Sequence, residues 1–84
     1  MEPQKNVKIR PEKFGAVIFE TLREKVFVTN EIGAEILRLM GANKEPEKIV
    51  TELIENYDDN PEIIRKETQE FIMELQANNL VGRV

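Results

Sequence analysis

The sequence lacks the residue types that most often perform chemistry in a protein. Its 84 residues include no cysteine, no histidine and no tryptophan. Without cysteine and histidine there are no thiol nucleophiles, no disulfide bonds, no thiolate or imidazole metal ligands and no side chain that readily moves protons at neutral pH. No pairing of an acid with a base, or of a nucleophile with a base, is visible among the remaining residues. We therefore expect a protein that is not an enzyme and holds no metal or cofactor of its own.

Negative charge outnumbers positive charge, and long apolar runs are absent. Twelve Lys and Arg residues stand against sixteen Asp and Glu residues, which gives a formal net charge of −4. This balance opposes the attraction to phosphate on which nucleic-acid binding depends. The apolar runs are short, and residues 1–6 lack the apolar stretch of a signal peptide. We expect a cytoplasmic protein that binds neither nucleic acid nor membrane.

The order of the remaining residues predicts an α+β fold. The length suits one compact domain, residues 1–84, and we expect residues 1–6 to be flexible. Short runs of β-branched and aromatic residues predict three antiparallel strands, and apolar residues at helical spacing predict three helices. The predicted strands are 7–10, 14–20 and 25–29, and the predicted helices are 30–40, 46–57 and 61–78.

The second and third strands form a predicted hairpin. Pro11 is expected to end the first strand, and a turn over residues 21–24 then pairs Glu20 with Lys25. This register places Ile18 and Phe27 on one face of the sheet. Four further apolar residues lie on the other face, namely Val17, Phe19, Val26 and Val28. A sheet with helices on one side normally has a polar outer face, so we expect the extra pair, Ile18 and Phe27, to contact another surface. Alternatively, the chain termini or a helix of the same chain cover this pair.

Capping residues and helix-breaking residues are expected to set the ends of the three helices. Asn30 is expected to cap the first helix and Gly41 to stop it. Pro46 suits the first turn of the second helix, and Asn60 followed by Pro61 is typical of a cap and first position. The pair Asn78-Asn79 can adopt the left-handed conformation that closes the third helix, which leaves residues 80–81 free to pack on the core.

The junction between the hairpin and the first helix resembles the pyrroloquinoline quinone biosynthesis protein D (PqqD) family. The family shows an aromatic residue, a spacer and Leu-Asn before a helix with Gly-Ala and branched apolar residues, and residues 27–37 follow this pattern with Thr29 in place of the Leu. Further similarity extends over residues 7–81, including Glu47–Val50, Leu53–Tyr57, Phe71-Ile72, Leu75 and Asn79–Val81. Asn79 stands where Gly is common, and Glu45 where Thr or Ser is common.

The resemblance implies a winged-helix-like adaptor. Members bind the leader region of a ribosomally made precursor peptide and present it to a modifying enzyme. In pyrroloquinoline quinone synthesis this partner is a radical enzyme with an iron–sulfur cluster and S-adenosylmethionine. That cofactor belongs to the partner, since this chain has no cysteine to hold a cluster.

In the family the peptide is added beside the third strand, in a groove next to the third helix. The strand residues that this implies are Lys25, Val26, Phe27, Val28 and Thr29. For the Phe27 side chain, core packing is favoured over peptide contact. On the third helix Ile63 and Met73 lie outside the predicted inward stripe and share an outer sector with Lys66 and Glu70, so these four are the candidates for the groove.

Other interpretations stay open at this level. One series of acidic residues on the third helix is either a solvated face or a charged surface that attracts a basic leader peptide or partner enzyme: Glu67, Glu70 and Glu74. A winged helix-turn-helix DNA-binding protein would read DNA through Arg65, Lys66, Gln69 and Gln76. A homodimer through the outer sheet face is compatible with peptide binding.

Overall fold

The computed structural model describes residues 3–82 and contains the three strands and three helices that the sequence predicts. The elements are β1 (Val7–Glu12), β2 (Gly15–Glu20), β3 (Lys25–Asn30), α1 (Glu31–Gly41), α2 (Pro46–Asn56) and α3 (Pro61–Ala77). The chain is therefore α+β, with all strands preceding all helices, which is consistent with a winged-helix-like arrangement.

The three strands form one antiparallel sheet in the order β1-β2-β3. Glu20 pairs with Lys25 and Val17 with Val28, which confirms the predicted hairpin register. Within the described residues β3 has only β2 beside it and is an edge strand. It runs directly into α1 without a loop.

β1 is longer than predicted. It continues through Pro11, which pairs with Ala16, and ends at Glu12. The expectation that Pro11 ends the strand is wrong because β1 lies at the edge of the sheet. A proline on an edge strand can lack an N–H without breaking a hydrogen bond to a second neighbour.

The side of the sheet that carries Ile18 and Phe27 faces the helices. Ile18 belongs to the buried core, and Phe27 packs against that core together with Ile9, which pairs with Ile18 from β1. The expectation that Ile18 and Phe27 contact another surface is therefore wrong, and the alternative, cover by a helix, is confirmed. The expectation that Phe27 packs inward is also confirmed. Alternation along a strand defines two sets of side chains, but the position of the helices decides which set is buried.

The opposite face of the sheet is also apolar. Val26 and Val28 are 59% and 68% exposed on it. The Arg10 guanidinium lies 5.3 Å from the centre of the Phe19 ring, a cation–π distance, and covers part of this face. A homodimer through the outer face would have to use Val26 and Val28, and such a dimer stays a prediction.

The N-terminal caps match the sequence expectations. The Asn30 side chain accepts a hydrogen bond of 2.9 Å from the Gly33 N–H, and the Asn60 side chain accepts one of 2.8 Å from the Glu62 N–H. Glu45 precedes α2 without a side-chain cap bond. Pro46 then supplies the preset backbone angle of a first helical residue.

The ends of α1 and α3 are closed by the same motif. Asn43 and Asn79 both have left-handed φ angles, 62° and 57°. The following N–H groups, of Lys44 and Leu80, donate to carbonyls five residues earlier at 3.1 and 2.9 Å, which is a Schellman closure. Asn79 therefore acts as predicted. The assignment of the α1 stop to Gly41 is wrong, because Gly41 is the last helical residue and Asn43 supplies the left-handed turn.

The core lies between the sheet and the three helices. Its fully buried members come from every helix, and Leu80 and Val81 pack back onto it as expected. Pro3 forms a bridge with Val81, and the Gln4 N–H donates to the Leu80 carbonyl at 3.0 Å. The expected flexibility of residues 1–6 concerns motion and stays a prediction, and residues 1–2 lie outside the described part.

Candidate functional site

A groove runs between the open edge of β3 and the side of α3. On the sheet side it is bounded by Phe27, Val28 and Thr29, and on the helix side by residues of α3. The α3 residues that line it are Glu67, Phe71, Glu74, Leu75 and Asn78. α1 closes the end of the groove next to Thr29, where Ile32 and Ile36 contribute to the lining.

The two ends of the groove differ in chemistry. The end near Phe27 is a small pocket of about 80 Å³ whose lining includes Ile18, Phe71, Leu75 and Leu80. The end near α1 is wider, about 320 Å³, and carries both Glu67 and Glu74. Phe71 and Glu74 line both ends and so lie in the middle. The groove therefore combines an apolar pocket with an acidic, more open section.

The backbone of β3 is available along this groove. Antiparallel strands alternate between residues that bond to the neighbour and residues whose N–H and C=O point away from it. Pro11 has no N–H to give, so its pair with Ala16 fits a non-hydrogen-bonded position, and the alternation then directs the Val26 and Val28 amides away from β2. An unpaired edge of this kind can accept another strand.

The five predicted strand residues lie together on β3. Phe27 and Thr29 are half-buried and face the groove, whereas Lys25, Val26 and Val28 are exposed. The structure thus brings the strand candidates to one edge. Their direct contact with a peptide stays a prediction.

The four predicted helix residues lie on the outer side of α3, and all are exposed. Ile63 is one turn before Glu67 on the same row of side chains, and Glu70 is next to Glu67 and Glu74, so both border the groove wall. Lys66 and Met73 lie further round the helix, outside the lining. Contact of these four with a peptide stays a prediction.

Sequence reasoning missed the residues that form the wall. The sequence places Phe71 in the inward stripe, and it leaves Glu67 and Glu74 as a solvated face or an attraction for a basic leader peptide or partner enzyme. In the structure Glu67, Phe71, Glu74 and Asn78 form one row along α3, between the buried stripe and the outer sector. The available signal was the i, i+4, i+7 spacing of this row beside the stripe of Ile64, Thr68, Ile72 and Leu75.

Two glycines allow the close packing at the junction of β3 and α1. Gly15 has a φ of +150°, and a Cβ there would lie 2.1 Å from the Thr29 carbonyl oxygen. A Cβ on Gly33 would lie 1.8 Å from Thr29 Oγ1. The absence of a side chain at both glycines therefore allows Thr29, a groove residue, to pack closely against β2 and α1.

A buried carboxylate organises the turn before β3. Glu20 is 3% exposed and accepts hydrogen bonds from the Asn6 side chain at 2.6 Å and from the N–H groups of Leu22 and Arg23 at 2.9 Å each. Burial of this carboxyl raises its pKa, but the hydrogen bonds from Arg23, Asn6 and Leu22 outweigh burial and hold the pKa of Glu20 below its ordinary value. The charged form thus fixes the turn from which β3 starts.

A second cavity lies beside β1, at the opposite edge of the sheet from the groove. It measures about 540 Å³ and is bounded by the β1–β2 turn, by α1 and by Tyr57. Its lining mixes apolar residues such as Ile9 and Leu37 with charges of both signs, among them Glu35 and Arg38, which pair with each other. The β1 edge of the sheet adjoins it, and Pro11 on that edge has no N–H to offer to an added strand.

Features of other protein classes are not found in residues 3–82. No helix there is long and apolar enough to cross a membrane. The same residues contain no cluster of three or more acidic side chains placed to hold a metal ion.

Solved structures share this architecture over nearly the whole chain. One is described as "TbiB1 in Complex with the TbiA(beta) Leader Peptide": it has a TM-score of 0.89 and 19% identity, with 100% of this chain and 98% of that chain covered. Another is a lasso peptide synthetase B1 complexed with the leader peptide, with a TM-score of 0.85, 12% identity and coverage of 98% and 96%. At these identities the likeness establishes the fold.

The sequence itself matches a family model over most of its length. No curated protein matches the chain. The model for coenzyme PQQ synthesis protein D (PqqD) matches residues 15–81, from the start of β2 to the residue that packs after α3. This stretch contains the whole groove. The chain therefore belongs to the PqqD family.

Proposed function

We propose that this protein is a non-catalytic adaptor that binds the leader region of a ribosomally made precursor peptide and presents it to a modifying enzyme. The observation that carries the proposal is the open β3 edge beside the groove on α3. Two proteins of the same fold are described as complexes with leader peptides. Membership of the PqqD family supports the same role.

Strand addition explains how such a groove captures a peptide. The outward N–H and C=O groups of Val26 and Val28 can pair with an extended peptide, which supplies affinity that does not depend on the peptide's sequence. Side chains of the peptide that point toward α3 then enter the groove and supply selectivity. No reacting group is needed in this chain for either step.

The proposed partner is a radical enzyme that uses S-adenosylmethionine, as in pyrroloquinoline quinone synthesis or a related peptide pathway. Its iron–sulfur cluster would be held by the enzyme, because this chain contains no cysteine. Synthesis of the precursor on ribosomes places the proposed complex in the cytoplasm. A test of the partner is co-purification of the chain with a radical enzyme encoded beside its gene.

The variant Val28→Pro tests strand addition directly. Proline removes the outward N–H of an edge strand and leaves the bonds to β2 in place, so we expect a folded variant that no longer captures peptides. The measurement is selection of short random peptides displayed on phage against the immobilised chain, with thermal unfolding as the check of folding. Loss of about 1 kcal/mol per missing backbone bond, together with local distortion, is expected to reduce binding at least about tenfold.

Val28→Thr is the matched control for this substitution. It changes the same exposed side chain but keeps the backbone N–H, so we expect binding close to that of the unaltered chain. A folded Val28→Pro variant that still captures peptides with full affinity would rule out pairing at β3.

The DNA-binding alternative receives no support from these findings. Arg65, Lys66 and Gln69 are exposed on α3, but the exposed Glu67, Glu70 and Glu74 share the helix with them. Carboxylates among the candidate contacts repel phosphates.

A further inference from the structure

Building on the proposed function, we propose that the captured peptide carries one apolar side chain with basic side chains at alternate positions beside it. The groove selects this pattern because its apolar pocket and its two carboxylates follow one another along β3.

The pocket near Phe27 accepts a single side chain. Its volume of about 80 Å³ is far below that of a site for a whole small molecule, which occupies at least about 300 Å³. Most of its lining is aromatic or aliphatic, including Phe71 and Leu75, and its polar members are Thr29, Glu74 and Asn78. A branched aliphatic side chain from an added strand is favoured there, because it leaves water for a lining that is mostly apolar.

The carboxylates beside the pocket are free to act on a ligand. Glu67 and Glu74 are exposed, and the ion pairs found within residues 3–82 involve neither of them. They lie two helical turns apart on the row that forms the groove wall, about 10 Å along the axis. Both therefore present negative charge toward the position of an added strand.

The spacing of an extended peptide matches this arrangement. Alternate residues of a strand lie on the same side and about 7 Å apart. A peptide residue opposite Phe27 meets the apolar pocket. The second residue further on lies opposite Thr29 and near Glu74, and the fourth lies near Glu67 and the start of α1. Lys and Arg are long enough to reach these carboxylates from either position.

The same charges disfavour other peptides. A carboxylate at the alternate positions would face Glu67 or Glu74 across the groove, and like charges in such proximity suppress the wrong partner. We therefore expect basic side chains at these positions to raise the affinity of a peptide and acidic side chains to lower it.

Three synthetic peptides test the pattern. The first is Lys-Ser-Lys-Ser-Leu-Ser-Lys-Ser-Lys, which has the same order in both chain directions and so does not depend on the orientation of the added strand. In the second every Lys is replaced by Glu, and in the third only the Leu is replaced by Asn. Fluorescence anisotropy with the full chain at low salt is expected to rank the first peptide above both others, and the difference from the Glu peptide should shrink as salt is added.

Reversal of charge on the wall separates local recognition from overall attraction. The double variant Glu67→Lys with Glu74→Lys should lose about tenfold in affinity for the Lys peptide and gain for the Glu peptide. The control is Glu55→Lys with Asp58→Lys, which changes the net charge by the same amount at exposed positions outside the groove lining. It should leave the Lys peptide ahead of the Glu peptide.

The outcomes distinguish this inference from the proposed function. If peptides bind at the β3 edge but the Glu peptide binds as well as the Lys peptide, the charge pattern is wrong and peptide capture stands. If both double variants weaken the Lys peptide equally, the attraction is not local to the groove and the inference fails. If none of the peptides binds and random peptides are not captured either, the proposed function fails together with it.

Discussion

The buried polar side chains of this small protein differ in whether they have hydrogen-bond partners. Glu20 is buried with three hydrogen-bond donors around its carboxylate. Thr68, in the middle of α3, is fully buried, yet its hydroxyl has no hydrogen-bond partner within the described residues. A buried hydroxyl without a partner loses its bonds to water and gains nothing in exchange. The unpaired hydroxyl of Thr68 therefore lowers the free energy of unfolding, at a position next to the groove wall.

The substitution Thr68→Val should stabilise the protein. Valine has nearly the same shape and removes the unpaired hydroxyl, so we expect the free energy of unfolding to rise by about 1 kcal/mol. Thr51→Val on α2 is the control, because the exposed Thr51 hydroxyl already donates to the Glu47 carbonyl at 2.9 Å. Chemical denaturation of the three proteins measures the difference. A loss of stability in Thr68→Val would show that its hydroxyl has a partner in solution.

Sequence reasoning succeeded at positions whose role is local. Asn30, Asn60 and Asn79 were assigned correctly because capping and left-handed turns depend on a few neighbouring residues. It left open what covers Ile18 and Phe27, because the buried face of the sheet depends on where the helices pack. It did not place Phe71 and Glu74 on the groove wall, because helical periodicity identifies the centre of a buried stripe but not which flank lies beside a strand.

At the scale of elements, the β2–β3 hairpin determines whether a usable edge exists. β3 is held on one side by β2 and starts from the turn that the Glu20 carboxylate fixes. At its other end β3 passes directly into α1, where Gly15 and Gly33 permit close contact with Thr29. The position of the edge relative to α3 therefore depends on both ends of one short strand.

The turn before β3 should respond to pH through Glu20. Its pKa is lower in the folded protein than its ordinary value, so the charged form stabilises the fold. This contribution is fully present above the unfolded pKa of about 4.5 and is lost as the pH falls through the lower folded pKa.

The variant Glu20→Gln makes that contribution measurable. We expect lower stability than the unaltered chain at neutral pH, and a difference that narrows as the pH falls below about 4, because Gln cannot be deprotonated. Glu55→Gln, at an exposed position on α2, is the control and should change little. An equal loss of stability at all pH values would assign the effect to shape and not to charge.

At the scale of the whole molecule, one small core presents a strand edge and a helix side to the same groove. The family model spans β2 to the end of α3, the elements that build this groove. The architecture was predictable because strands, turns and caps follow one another with clear local signals. The position of β3 relative to α3 was not predictable, because it depends on contacts between residues more than thirty positions apart.

The most direct test of the account is a residue-by-residue map of where a peptide binds. The unaltered chain, labelled for NMR, is titrated with a peptide selected from the random library. We predict that amide signals shift along Lys25–Asn30 and Glu67–Asn78, and that the Val26 and Val28 amides become protected from hydrogen exchange because they pair with the added strand. Changes confined to α2, with β3 and α3 unaffected, would contradict peptide capture at the β3 edge.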